Sequence, residues 1–133
     1  MNWYRKYLPL KQSQQTIALW LDDERDPSDL NTQRLFGATG SEQWVKTVPD
    51  AKTIILNGDV ASISFDNDLG APEEGADLAQ WISEQAAMGK IPRMLWYVHT
   101  QNIQAAPRIQ SHMQNAERFW AHMEQTGQPW MQS

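Results

Sequence analysis

The chain of 133 residues contains no cysteine, which removes disulfides, thiol nucleophiles and thiolate metal ligands from its chemistry. It holds no apolar run approaching the roughly 20 residues that a membrane-spanning helix needs, so no membrane association is expected. Met1-Asn2-Trp3-Tyr4-Arg5-Lys6 leads into no apolar stretch of the kind a secretory leader carries, and a cytoplasmic setting is expected. Positive charge is scarce. With 11 Lys and Arg against 16 Asp and Glu the formal net charge is -5, which argues against duplex DNA as a partner. A small anionic ligand stays open, because a bound cation reverses the local sign. Absent too are a G-x-x-x-x-G-K-[ST] loop, a G-x-G-x-x-G fingerprint and a serine nucleophile elbow. Phenylalanine is sparse, with 3 residues against 7 Trp, so aromatic packing falls to indoles.

What the chain does have is three apolar runs that each end in polar chemistry. Ile17-Ala18-Leu19-Trp20-Leu21 runs into Asp22-Asp23, Val60 through Phe65 into Asp66-Asn67-Asp68, and Met94 through Val98 into His99-Thr100. A further short strand is expected over Gln43 to Thr47. Arg25 through Ser41, with Pro27, Gly37 and Gly40, reads as loop with at most one helical turn. Thr47 with Asp50 caps a helix that Asn57-Gly58 stops. A second helix begins near Ala76, with Leu78, Trp81, Ile82 and Ala86 on one face, and Gly89 ends it. A last helix runs from about Pro107 to Gln125 on Ile109, Met113, Ala116, Trp120 and Met123. The crossovers are long and no tight hairpin signal appears, so the fold class is α/β with a parallel sheet in the order 2-1-3-4. Residues 1–15, with Trp3, Tyr4, Tyr7, Leu8 and Leu10, read as an N-terminal arm packed on the body, on a second copy in a homodimer or on another protein; residues 16–133 form the domain.

In such a sheet the carboxyl ends of the strands open on one crevice, where ligands bind. Asp22, Asp23, Asp66 and Asp68 would meet there with His99. Carboxylates brought together repel unless a cation or proton lies between them. Oxygen ligands without cysteine favour Mg²⁺, Mn²⁺ or Ca²⁺ over zinc, with Mg²⁺ first. His99 ends an apolar strand, where an imidazole has no packing advantage over Leu, and is a candidate general acid or base or a phosphate donor. Thr100 can donate a hydroxyl hydrogen bond to an anion; Asn102 can do the same or cap the turn. Arg25 either forks a phosphate or pairs with Asp23 or Asp26. His112 and His122 fall on the last helix as surface residues, and Glu73-Glu74 belongs to a solvated loop.

Three stretches carry a resemblance. Leu21-Asp22-Asp23-Glu24-Arg25-Asp26-Pro27, then Ile63-Ser64-Phe65-Asp66-Asn67-Asp68-Leu69-Gly70 with Gly75-Ala76-Asp77-Leu78, then Val98-His99-Thr100-Gln101-Asn102 resemble the cyclic-phosphate processing receiver domain family of bacteria and their phages. The resemblance spans roughly residues 16 to 120. It implies a receiver-like, flavodoxin-like three-layer fold with a degenerate first helix and a reduced fifth-strand region. The setting it implies is a bacterial cell or a phage-infected host. It also implies action on a small cyclic phosphate, either a cyclic nucleotide or an RNA terminus. Two departures stand out. The family pattern usually has histidine where this chain has Asn67, and Asn-Pro then Gly where this chain has Asn102-Ile103-Gln104.

The expected reaction is therefore metal-dependent hydrolysis of a cyclic phosphodiester. Asp22, Asp23 and Asp66 would hold Mg²⁺ or Mn²⁺. His99, Asp66, Asp68 and Thr100 are the candidate catalytic residues, and Arg25, Asn67 and Asn102 the candidate substrate contacts. Two other classes compete. A phosphoacceptor receiver would use Asp66 as nucleophile and Thr100 as switch, but it normally needs a lysine beyond a fifth strand, and no lysine follows Thr100. A non-catalytic binding or inhibitor domain of the phage type would keep the fold and use the Trp-rich surface or the arm.

Overall fold

Each apolar run becomes a strand because its β-branched and aromatic residues fit a pleated surface and its neighbours are loops long enough to cross over. The strands are β1 (Ile17–Leu21), β2 (Gln43–Val45), β3 (Val60–Phe65) and β4 (Leu95–Val98). In the computed structural model, which describes residues 15–131, they form one parallel sheet in the order β2-β1-β3-β4. Leu21 pairs with Val45 on one side and Phe65 on the other, and Phe65 with Val98, so the three acidic or imidazole-bearing ends stop level with one another. The arm expected over residues 1–15 lies, apart from Gln15, outside the described residues.

The helices are α1 (Leu30–Phe36), α2 (Val48–Leu56), α3 (Gly75–Ala87) and α4 (Ala105–Thr126). The expected loop over 25–41 is corrected by α1, which has seven residues. Asp29 caps it by accepting from the backbone N–H of Asn31 and Thr32, and Gly37 ends it in the left-handed region at φ 84°. Thr47 caps α2 through Asp50 N–H as expected. α4 starts two residues earlier than its proline suggested, because Asn102 Oδ1 accepts from the N–H groups of both Gln104 and Ala105.

Alternation decides which face of the sheet is the core. Leu19, Leu21, Ile63 and Phe65 point to the side where Ile55, Leu78, Ile82, Ile109, Met113 and Trp120 of the three longer helices bury their apolar stripes. α3 and α4 pack extensively on each other, and Trp120 Nε1 donates to the Ile91 carbonyl at 3.1 Å in the middle of that layer. The other face carries Ala18, Trp20, Ser62, Ser64, Leu95 and Tyr97. There α1 and the chain up to Glu42 contribute the residues that wall a hollow with Trp20, Ser64 and His99. The degenerate first helix thus leaves the second outer layer thin. No described helix is long and apolar enough to cross a membrane.

Gly75 joins the core to the site. Its N–H donates to the Asn67 carbonyl at 2.9 Å, and a Cβ there would strike the carbonyl oxygen of Asp66 and approach the Asn67 Cα to 2.9 Å. Backbone cannot yield as a flexible side chain can. Gly75→Ala is therefore expected to lower unfolding free energy by about 1–3 kcal/mol, the scale of core overpacking, as read from urea denaturation. Stability equal to wild type would show that α3 shifts freely.

Candidate functional site

The residues following the strands extend the ladder by one bond each. Asp22 N–H donates to the Val45 carbonyl at 3.0 Å, Asp66 N–H to Leu21 at 2.9 Å and His99 N–H to Phe65 at 2.9 Å. Sheet pairing, not loop conformation, therefore sets their positions. By the two-residue alternation these three side chains share the face of Trp20, Ser64 and Tyr97.

Asp22 is fully buried. Its Oδ1 accepts from the N–H groups of Glu24 and Arg25, each at 2.9 Å. Its Oδ2 faces His99 Nε2 at 3.0 Å and Arg25 Nη1 at 3.3 Å. Burial alone would push this carboxyl up, but the bonds from His99, the two backbone groups and the Arg25 side chain outweigh it and hold the pKa below the ordinary carboxylate value. Asp66, also buried, moves the other way. Burial and then the negative charge of Asp22 raise it, against weaker opposition from the Asn67 N–H, the Thr100 hydroxyl and His99. Arg25 Nη1 comes only to 3.8 Å from Asp66 Oδ2.

His99 does not line the cleft. Its Nε2 is engaged by Asp22 and its Nδ1 by Ser64 Oγ at 2.8 Å. With Asp22 ionised Nε2 donates, and in the neutral ring Nδ1 then accepts the Ser64 hydroxyl. The Trp20 ring stacks on the imidazole with centroids 3.8 Å apart and planes 5° from parallel, and Trp20 Nε1 donates to the Arg25 carbonyl at 2.9 Å.

A cleft of about 490 Å³ lies at the strand ends, lined by Asp23, Glu24, Arg25, Asp66, Asp68, Gly70, Thr100, Gln101 and Asn102. Asp22, Asp23 and Asp66 each bring a carboxylate oxygen within 4.8 Å of the others, a group able to hold a metal ion. Arg25 is fixed by Asp22, by Gln101 Oε1 at 3.3 Å from Nη2, and by the Phe36 ring 4.2 Å beneath its guanidinium. Asp68 accepts from Asn102 Nδ2 at 3.2 Å and Asn67 Nδ2 at 2.9 Å.

Asn67 is placed otherwise than a substrate contact would be. Fully buried, it takes the Ala76 N–H on Oδ1 at 3.0 Å and spends Nδ2 on Asp68 and Glu74, so it ties the loop to the start of α3. Asn102 serves twice, as the α4 cap and as a cleft wall. His112 and His122 lie half-buried on α4, away from the cleft, His122 edge-on to Trp130. Glu73 pairs with Lys52 at 3.3 Å. Sequence reading missed Ser64, Trp20 and Gln101. The signal for the first two was present: each stands two residues before a site residue on its own strand and therefore on the same face.

A parallel sheet in this order, with clustered carboxylates at its carboxyl edge, defines a receiver-like α/β domain. The chain belongs to the cyclic-phosphate processing receiver domain family, whose model matches residues 17–115. No curated protein and no solved structure matches it.

The opposed carboxyl shifts have opposite signs in stability. A carboxyl whose folded pKa is raised lends stability below its unfolded value, near 3.9, and loses it as pH climbs through the folded value; a lowered one lends stability above the unfolded value and loses it as pH falls through the folded one. Asp66→Asn should therefore raise the melting temperature of EDTA-treated protein at about pH 7, with the gain vanishing toward about pH 3. Asp22→Asn should lower stability at neutral pH by about 1.5–3 kcal/mol, the scale of hydrogen bonds to a charged group. Thermal unfolding monitored by circular dichroism across pH reads both, and like signs at neutral pH would refute the assigned split.

Proposed function

We propose that this domain hydrolyses a cyclic phosphodiester, on a nucleotide or an RNA end, with Mg²⁺ or Mn²⁺ held at the carboxylate cluster. The observation that carries this reading is the cluster of Asp22, Asp23 and Asp66, each with a carboxylate oxygen within 4.8 Å of the others. Arg25 stands near Asp66, yet that carboxyl is still pushed up by burial and Asp22, which is the condition a divalent cation relieves. The donor set fits. Among the described residues no protein donor claims the Asp23 carboxylate, and Asp66 retains room, so these two would ligate directly. Asp22, with both oxygens engaged, would add charge. Such a cation, when bound, neutralises charge that develops on the phosphate oxygens.

The chain's own groups would do the rest. Arg25, its guanidinium plane set by Asp22, Gln101 and Phe36, presents N–H groups to the phosphate oxygens. Thr100, whose hydroxyl bonds Asp66, and Asn102, whose amide donates to Asp68, stand on the cleft wall and would exchange those bonds for phosphate oxygens to orient the substrate. Water attacks phosphorus, one ring P–O bond breaks, and the product is a phosphomonoester with a free hydroxyl. Asp68, an exposed carboxylate on the cleft wall, would take the proton of the attacking water, and solvent water would supply the proton that leaves the released oxygen as a hydroxyl. His99 is assigned as a positioning residue that holds Asp22, and through it Arg25, because both its ring nitrogens are engaged inside the fold. The general-acid role expected for it would need its ring released from Asp22 or Ser64.

Incubation with 2′,3′-cyclic and 3′,5′-cyclic nucleotides and with RNA bearing a 2′,3′-cyclic end, with and without Mg²⁺ or Mn²⁺, tests the reading by product analysis. Turnover is expected only with metal, and the metal should also raise the melting temperature, a shift that Asp66→Asn abolishes. His99→Ala should lower kcat about 10²-fold, the scale of misplacing a positioned group. His99→Gln, which can still donate to Asp22, should recover much of that loss under the positioning role and none under proton transfer. Wild-type inactivity over the whole panel with metal bound would end the enzymatic reading in favour of a binding domain.

A further inference from the structure

Trp20 and Trp44 are register partners on the neighbouring parallel strands β1 and β2, so their side chains leave the sheet on the same face, the one that Asp22 shares. Trp20 is buried and Trp44 half-buried. The polar atom of an indole is an N–H that can only donate, and when buried it needs an acceptor. Trp44 Nε1 donates to the Asp22 carbonyl at 2.6 Å, and Trp20 Nε1 to the Arg25 carbonyl at 2.9 Å. These carbonyls stand at the two ends of the turn that carries Asp23 and Arg25 into the cleft.

Every peptide group between Asp22 and Asp26 is thereby held once. Asp22 Oδ1 takes the inner N–H groups, those of Glu24 and Arg25, each at 2.9 Å. The indoles take the outer carbonyls. Asp23 lies between the peptide held by Trp44 and one held by Asp22, and Arg25 between one held by Asp22 and the one held by Trp20. With both flanking peptides fixed, the direction in which each side chain leaves the backbone is set before any ligand arrives. The indoles are fixed in turn: His99 stacks on Trp20 with centroids 3.8 Å apart, and Lys46 Nζ lies 4.3 Å from the Trp44 ring centroid.

We propose that Trp20 and Trp44 are positioning residues with separate duties, Trp20 aiming Arg25 at the phosphate and Trp44 aiming Asp23 at the metal ion. Both duties rest on the phosphate role of Arg25 and the metal role of Asp23 proposed above. Neither indole lines the cleft, so each acts through the backbone it holds. The duties separate because the bonds to Asp22 Oδ1 remain when either indole N–H is lost.

Trp20→Phe and Trp44→Phe each keep an aromatic ring and remove the donor. The probes are Mn²⁺ alone, read by electron paramagnetic resonance, and inorganic phosphate at saturating Mg²⁺, read by isothermal titration. Trp20→Phe is expected to weaken phosphate binding about 5- to 10-fold, the scale of one lost hydrogen bond, and to leave Mn²⁺ affinity within about twofold of wild type. Trp44→Phe should do the reverse. Both probes weakened alike in both variants would mean a general loosening of the fold and overturn the proposal, as would unchanged affinities. A wild type that binds neither probe would end the phosphate and metal roles themselves, and the ligand-free protein then decides the positioning. There the ¹H–¹⁵N NOE of the Arg25 Nε–H should fall in Trp20→Phe and that of the Asp23 amide in Trp44→Phe; values equal to wild type refute it. Should a phenylalanine variant fail to fold, benzothienylalanine at the same position, an isostere with sulfur in place of the N–H, replaces it in the same measurements.

Discussion

A carboxylate with no access to water governs the carboxyl end of this sheet. Removing the Asp22 charge from solvent costs several kcal/mol unless its lone pairs are filled by well-placed donors. Two backbone N–H groups of the following turn, one guanidinium nitrogen and one imidazole nitrogen fill them. Each donor is thereby fixed. The turn after β1 must fold back on Asp22, Arg25 must lie along the carboxylate, and His99 must reach from β4 past β3. Ser64 on β3 holds the other imidazole nitrogen, and Trp20 on β1 stacks on the ring. A single buried charge thus stitches three strands together exactly where the cleft begins.

That arrangement divides the labour between neighbouring aspartates. Asp22 takes four protein donors, which hold its pKa below the ordinary carboxylate value and favour its charged form. Asp66, a strand away, receives that charge as repulsion and only weak compensation. The pair is set apart in proton affinity by its surroundings rather than by its chemistry, a pattern that accompanies sites where charge must be met by a ligand. Asp23, on the solvent side, completes the cluster. Gly70 lets the chain pass close to it, since a Cβ there would stand 3.3 Å from the Asp23 carboxylate.

The main architecture was legible in the residues. Strand ends, sheet order and the three long helices followed from apolar runs, periodicity and caps, because burial enforces those patterns wherever a parallel sheet packs on helices. α1 was obscured: its stability comes from Asp29 at one end and Gly37 at the other, and its short body has no apolar stripe to display. The carboxylate cluster was legible because strand register brings chain ends together. The direction of His99 was not. A residue following a strand can turn outward to the cleft or back over the sheet, and what turned it back was Trp20 and Ser64, remote in sequence and ordinary in composition. Asn67 misled for the same reason, as its amide satisfies the start of α3 nine residues later.

The cation beside Asp66 is the last piece of the site's logic. No lysine follows Thr100, and among the described residues the sheet ends at β4. Arg25 brings positive charge instead from the turn after β1. A lysine would be a mobile point charge, free to settle on whichever carboxylate is more basic. Arg25 is held on three sides, by Asp22, by Gln101 and by the Phe36 ring, so its plane is set before any ligand arrives and little rotamer entropy is left to lose on binding. Because Asp22 already holds one of its nitrogens, the guanidinium does not collapse onto Asp66. The negative charge of Asp66 and the oriented N–H groups of Arg25 therefore coexist side by side at one cleft, which is the combination needed to hold a cation and a phosphate together.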